Sequence, residues 1–187
     1  MLRTVLTDDA ELRALEPWHA EEFFAHLDAI RDHIGQWLAW AERIPDLDAA
    51  HEFLQGFADK RARDEGTMYG LWVHGELVGG VAFPVFDARA GICELGVWLA
   101  PHVTGRGLVG MAVQRMIDWA VFERGVFRIE WLAAVGNEPS IAVARRLGFT
   151  KEGVLRKHYP HGEVRHDMEL WSVLADEWRA RSVPQSQ

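Results

Sequence analysis

The sequence contains a single cysteine, Cys93, which rules out a disulfide within the chain. Cys93 falls in a strand-like run, where a small core residue is the expected role rather than a nucleophile. There is no internal repeat and no low-complexity linker, and no apolar run reaches membrane-spanning length. The first ten residues carry Arg3, Asp8 and Asp9 and have no apolar core, so no secretory leader or membrane partner is expected. Basic residues are also scarce. Lys and Arg total 20 against 28 acidic residues, a net charge of -8, which argues against a nucleic-acid-binding surface.

The chain does have length and apolar content. With 187 residues, 49% of them hydrophobic, it can form one domain with a full core, expected over residues 1–187 and in the cytoplasm. Ala10 to Leu15 reads as a short first strand. After Pro17 the apolar positions Phe23, Phe24, Leu27 and Ile30 recur at helical spacing, and a second short helix is expected over Ile34 to Ala41. Asp46 is placed to cap a third helix, Leu47 to Arg63, that Gly66 ends. Thr67 to Val73 and Leu77 to Phe86 read as strands of a hairpin turning at His74-Gly75-Glu76, and Ile92 to Leu99 as the next strand. Arg128 to Val135 is another strand, and Ile141 to Leu147 a short helix closed by Gly148-Phe149. Phe149 to His158 is expected to pair with Val164 to Trp171 across Pro160-His161-Gly162-Glu163. Poor alternation over Arg165 to Glu169 makes that last strand the expected edge. A helical turn over Ser172 to Arg181 and a frayed tail, Val183 to Gln187, finish the chain. The pattern as a whole is mixed α/β.

One stretch organises the rest. Val97-Trp98-Leu99 runs through Ala100-Pro101-His102-Val103-Thr104 into Gly105-Arg106-Gly107-Leu108-Val109-Gly110. From Met111 the apolar residues Val113, Met116, Ile117, Ala120 and Val121 then mark a helix. The first turn of a helix leaves N–H groups unpaired and carries partial positive charge, and glycines let a phosphate approach the backbone, so a phosphate cradle is one reading. A Gly-x-Gly between strand and helix can equally serve only to turn the chain, and both readings stay open at this point. Gly105, Gly107 and Gly110, with Glu130 about twenty residues on, also satisfy the spacing of a dinucleotide fingerprint. Five residues separate Leu99 from Gly105, however, and too little chain follows for a doubly wound parallel sheet.

The next segment adds Asn137-Glu138-Pro139-Ser140 ahead of Ile141 to Gly148-Phe149. Strand, Gly-rich loop, helix, strand and N-x-x-S…G-F in this order resemble the acetyl-CoA-binding core of the GNAT N-acetyltransferase superfamily. Trp37-Leu38-Ala39-Trp40 and Gly148-Phe149-Thr150-Lys151-Glu152-Gly153-Val154-Leu155-Arg156 further resemble its RimJ/RimL branch. The similarity spans roughly residues 10 to 178; His102 stands where the family's loop begins with Gln or Arg. The resemblance implies a mostly antiparallel central sheet flanked by helices, in which the strands Cys93 to Leu99 and Arg128 to Ala134 splay apart to admit acetyl-CoA. It implies acetyl transfer to a primary amine, in the first place a protein N-terminal α-amine of the ribosomal-protein type. A small-molecule amine or antibiotic as acceptor, a non-catalytic acyl-CoA sensor, and a homodimer all stay open.

The site residues follow from the same resemblance. Amides at Trp98 and Leu99 would hold the acetyl carbonyl. Val103, Gly105, Arg106, Gly107, Leu108, Val109, Asn137, Ser140, Ala144 and Arg145 would be further cofactor contacts, with Arg146 adding positive charge. Ser140 would protonate the leaving thiolate, although its hydroxyl could simply sit in the first helical turn, and Asn137 is equally a helix N-cap. Candidates for the base are Glu94 and His158; Glu130 has Arg128 two positions away as a neutraliser. Trp37 and Trp40 would line the acceptor pocket. His158, His161 and His166 straddle a turn with no cysteine beside them, and the resembling family needs no metal. The acidic balance of the chain points weakly to a cationic amine.

The cradle and the dinucleotide reading are separated by thermal unfolding with acetyl-CoA, CoA and NAD in turn. A ligand at 100 times its dissociation constant adds about 2.7 kcal/mol. Stabilisation by the two CoA species alone is expected; stabilisation by NAD alone, or by none of the three, would overturn the cradle.

Overall fold

A computed structural model describes residues 3–182. The chain opens with β1 (Arg3–Val5) and β2 (Ala10–Ala14), continues through α1 (Ala20–Gly35) and α2 (Leu47–Ala62), and then forms β3 (Thr67–Val73), β4 (Glu76–Asp87) and β5 (Ile92–Leu99). It continues with α3 (Leu108–Asp118), β6 (Arg128–Ala134), α4 (Glu138–Arg146), β7 (Thr150–His161), β8 (Val164–Leu174) and α5 (Ala175–Ser182). The strands form one mixed sheet in the order β1-β2-β3-β4-β5-β6-β8-β7. Among the described residues only β5 and β6 run parallel; every other neighbouring pair is antiparallel. No helix among the described residues is long and apolar enough to cross a membrane.

The local signals explain most of these elements. Asp46 caps α2 by accepting the Ala49 N–H at 2.8 Å. Phe23, Leu27, Ile30 and Ile34 form the buried face of α1. Every residue of β3 is buried, which is why it reads as an unbroken apolar run rather than as an alternation.

The differences from expectation each have a cause. The short helix expected from Ile34 to Ala41 does not form. Ile34 belongs to α1, and its carbonyl accepts the N–H groups of both Trp37 and Leu38 as the helix unwinds. A 3₁₀ turn, Ala39–Arg43, follows, held by Arg31, whose guanidinium donates to the carbonyls of Ala41 (2.6 Å) and Ile44 (3.0 Å). Helix α2 ends at Ala62, before Gly66, because Asp64 takes the left-handed conformation (φ 61°). Strand β1, only three residues long, has no sequence signal of its own. The last strand is not an edge: β8 lies between β6 and β7, and β7 is the edge. Its irregular alternation reflects polar groups buried with partners. Glu169 accepts from Lys151 Nζ at 2.5 Å and from Trp171 Nε1 at 3.0 Å, and Ser172 donates to Glu152 at 2.6 Å. The β7 strand runs on to His161, so the turn is shorter than expected. The expected tail over Val183 to Gln187 lies outside the described residues.

Gly79 and Gly80 on β4 are opposite Leu99 and Trp98 on β5. A Cβ at Gly80 would lie 2.1 Å from the Trp98 ring and 2.5 Å from the Tyr69 carbonyl oxygen. The missing side chain at Gly80 leaves the space that the Trp98 indole occupies. Gly80→Ala is therefore expected to cost about 1–3 kcal/mol, as overpacking of a filled core does. Urea unfolding checks this; an unchanged midpoint would show that both the indole and the Tyr69 carbonyl give way freely.

Candidate active site

Strands β5 and β6 pair from Ile92↔Arg128 to Leu95↔Trp131 and then separate, although they continue to Leu99 and Ala134. Each stays paired on its other side, β5 with β4 as far as Gly79↔Leu99 and β6 with β8 as far as Ala134↔Met168. The expected splayed pair is thus present. The Ala100 N–H donates to Val78 O at 2.8 Å, which fixes the alternation of β5. The amides of Gly96 and Trp98 then point to β4, and those of Val97 and Leu99 point into the gap. Of the two amides expected there, Leu99 has the required direction. Trp98 does not, and Val97 takes its place.

A cavity of about 780 Å³ occupies the gap. At one end lies the glycine turn. Gly105 (φ 80°) and Gly107 (φ 74°) both take left-handed backbone, and Gly107 is the N-cap of α3. No atom lies within 4 Å of a Cβ built on either glycine, so the backbone there is open to an approaching group. Gly105, Gly107, Val109, Asn137, Ser140 and Arg146 border this end. Asn137 Oδ1 accepts the Ser140 N–H at 3.2 Å, so Asn137 caps α4 and faces the cavity at once. Trp131 Nε1 donates to Ser140 Oγ at 3.0 Å, which leaves the hydroxyl proton free to point elsewhere. This arrangement suits a phosphate-bearing chain that enters at the helix N-terminus and runs into the gap.

Several residues expected as cofactor contacts do not line the cavity. Arg106 turns away and pairs with Asp9 at 2.5 Å. Arg145 lies over the Trp171 ring at 5.6 Å; the cation that borders the cavity is its neighbour Arg146. Ala144, Val103 and Leu108 have side chains buried in the core. For Leu108 this leaves its backbone at the first turn of α3 as the group on offer. His102 is exposed on a 3₁₀ turn and is not part of the cavity wall.

The other end is aromatic. Trp37 and Trp40 both border it, held by a bent turn rather than by a helical face. Trp40 stacks with Phe53 (ring centres 5.3 Å apart) and meets the buried Trp98 edge-on at 5.8 Å. Glu94 faces this space from β5. Burial raises the pKa of its carboxyl above the ordinary range. Glu130, opposite it in the β5–β6 register, raises it further, and Lys60 opposes the shift. Glu130 itself accepts from Arg128 Nε at 2.7 Å, as its sequence spacing suggested. Arg128 in turn forks onto Glu152 at 2.5–2.7 Å. Cys93 is buried and its thiol pKa is raised, mainly by desolvation, which makes it a core residue.

His158 reaches the cavity by a device with no sequence signal. The β7–β8 register slips between Leu155 and Tyr159, and Lys157 within the bulge has φ 53°. Its N–H donates to Asp167 at 2.8 Å, and Arg165 donates to the carbonyls of Lys157 (2.6 Å) and His158 (3.0 Å). The bulge re-aims the strand, so that His158 and Tyr159, adjacent residues, both border the cavity. His161 instead contacts His166 (2.9 Å) and Glu42 (3.1 Å). Sequence reading missed Arg43, Lys60 and Tyr159, because each comes from a helix, turn or bulge that only packing brings to the gap.

A sheet opened between two strands, with a helix N-terminus at one end and a carboxylate at the other, is the frame of an acyl-transfer enzyme. The family model described as the acetyltransferase (GNAT) domain matches residues 10–150, and the chain belongs to that acetyltransferase family. It is 30% identical over 183 residues, 95% of this chain and 98% of the relative, to YdaF of Bacillus subtilis (strain 168), whose name marks it as a candidate ribosomal N-acetyltransferase. It is 23% identical over 171 residues, 91% of this chain and 96% of the relative, to the ribosomal-protein-serine acetyltransferase of Escherichia coli (strain K12). Among solved structures, RimL, the ribosomal L7/L12 α-N-protein acetyltransferase in complex with coenzyme A, has the same fold. Its TM-score is 0.87 at 23% identity, over 94% of this chain and 99% of that one.

The raised Glu94 pKa makes a stability prediction. The folded chain holds this proton more tightly than the unfolded chain, so the contribution is intact below an ordinary glutamate pKa of about 4.3 and is lost as pH rises through the folded value. Glu94→Gln is expected to leave stability unchanged at acid pH and to raise it in mildly alkaline buffer. Urea unfolding at the two pH values checks this, and an equal effect at both would contradict the burial argument.

Proposed function

We propose that this chain moves acetyl from acetyl-CoA directly to the α-amine of a protein N-terminus, of the kind ribosomal proteins present, through a ternary complex. Residues 10–178 act as one catalytic unit in the cytoplasm. The reading is carried by the parting of β5 and β6 beyond Leu95 and Trp131, which opens a passage from the glycine turn to Glu94. The names of the E. coli relative and of RimL support the acceptor class.

When bound, the cosubstrate supplies an activated acetyl thioester; the rest falls to the residues of this chain. The backbone from Gly105 to Val109 and the Arg146 guanidinium hold the pyrophosphate at the N-terminus of α3. The gap-facing amides of Val97 and Leu99 accept negative charge as it develops on the acetyl oxygen. Glu94 takes the proton of the incoming ammonium, for which a raised pKa is suited, and His158, which borders the same cavity, acts as a relay. The amine nitrogen bonds to the acetyl carbon and the carbon–sulfur bond breaks; Ser140 gives its hydroxyl proton to the sulfur and regains one from the second proton that the nitrogen releases as the amide forms. Trp37 and Trp40 form the wall against which the acceptor lies.

Ser140→Ala tests the assignment. Turnover is expected to fall about 10²-fold or more, in the range of a lost general acid, with CoA affinity kept. Steady-state kinetics beside calorimetric CoA binding separates the two, and an unaffected rate would return Ser140 to a structural part in the first turn of α4.

A further inference from the structure

The charge of the cavity is opposite to that of the chain. The sequence carries a formal net charge of -8, yet the charged side chains bordering the cavity, among the described residues, are Arg43, Lys60 and Arg146 against the single carboxylate of Glu94. The acidic surplus lies elsewhere, so it gives no reason to expect a cationic acceptor. Arg146 belongs to the glycine-turn end, with Asn137 and Ser140. Arg43 and Lys60 come from the turn after α1 and from α2, and so belong to the aromatic end.

The two cations at the aromatic end differ in how they are held. Lys60 Nζ donates to the Pro84 carbonyl at 2.8 Å and lies 5.4 Å from the Phe57 ring centre, which anchors the ammonium in the wall and leaves two of its protons free. Among the described residues Arg43 has no ion-pair and no hydrogen-bond partner. Tyr159 borders the same cavity and senses the charge of both Arg43 and Glu94, and the amides of Trp40 and Ala39 face its phenol oxygen. A free guanidinium beside an aromatic wall is a planar receptor for a carboxylate or phosphate group. Glu94, which would receive the amine, borders the same cavity and lies within the field of Lys60.

We propose that the acceptor is an amine that also carries an anionic group, carboxylate or phosphate, bound by Arg43 with Lys60 while its amine meets Glu94. This inference rests on the acetyl-transfer reading above and narrows its acceptor. An acceptor with a second positive charge, such as a polyamine, would bring that charge against two cations in a partly enclosed cavity and is selected against.

The test uses two pairs of acceptors with acetyl-CoA: the peptides Ser-Asp-Phe-amide and Ser-Lys-Phe-amide, and the small amines O-phosphoethanolamine and ethylenediamine. The anionic member of a pair is expected to be acetylated with a kcat/KM at least about tenfold higher. Arg43→Gln should bring that ratio to within about twofold, chiefly through KM, and Arg43→Lys should keep the preference. Because Arg43 is exposed, neither variant disturbs the core. A preference in the small-amine pair alone would uphold the charge assignment and overturn the protein N-terminus. Turnover of both peptides without preference, a preference for the cationic members, or a preference that survives Arg43→Gln would overturn the charge assignment and leave the N-terminal reading standing. No turnover of any of the four, with acetyl-CoA still stabilising the protein, would overturn both.

Discussion

The structure depends on where β5 and β6 stop pairing. Theirs is the one parallel junction among the described residues, and it lasts for four residue pairs, Ile92↔Arg128 to Leu95↔Trp131. On either side lie well-paired antiparallel ladders that pull the two strands apart. Beyond the junction β5 follows β4, and β6 follows β8. The molecule is in effect two half-sheets joined along a short seam. The strand edges left in the gap carry backbone groups that a fully closed sheet would have paired, and a buried group left without a partner costs about 1–3 kcal/mol. A bound chain with carbonyl and amide groups of its own can satisfy them, so the defect in the ladder is suited to receive one.

Around that seam the packing sets chemical differences that composition conceals. Glu94 and Glu130 face each other in register, yet their surroundings differ. Arg128 neutralises Glu130 and is itself held by Glu152, whereas Glu94 faces the cavity, with burial and a neighbouring carboxylate acting on it together. Two like residues one strand apart thus become an ion-pair member and a carboxyl poised to exchange a proton. The same separation holds for the cations: Arg106 and Arg145 are occupied by Asp9 and Trp171, while Arg43 and Arg146 face the cavity.

The ladder of elements was largely legible in the sequence, because caps, hairpin turns and apolar periods act locally. Asp46, the Gly75 turn and the run Thr67 to Val73 each sit where the pattern puts them. The misreadings arose where tertiary contacts overrule local preference. The Arg31 clamp on Ala41 and Ile44 bends what would otherwise read as helix, and buried partners for Glu169 and Ser172 hide a central strand behind a polar pattern.

By itself the sequence determined the glycine turn opening onto α3, the Asn137 cap, Ser140 and the strand carrying Glu94. These are contiguous signals, and a turn, a cap or a strand is decided by neighbours in the chain. Only the tertiary structure decided which amides face the gap, which arginines are free, and that a bulge at Lys157 carries His158 and Tyr159 into the same space as Trp40 and Arg43. Those outcomes depend on strand register and side-chain competition between segments more than one hundred residues apart in the chain, from Trp40 to Tyr159, and no local pattern encodes them.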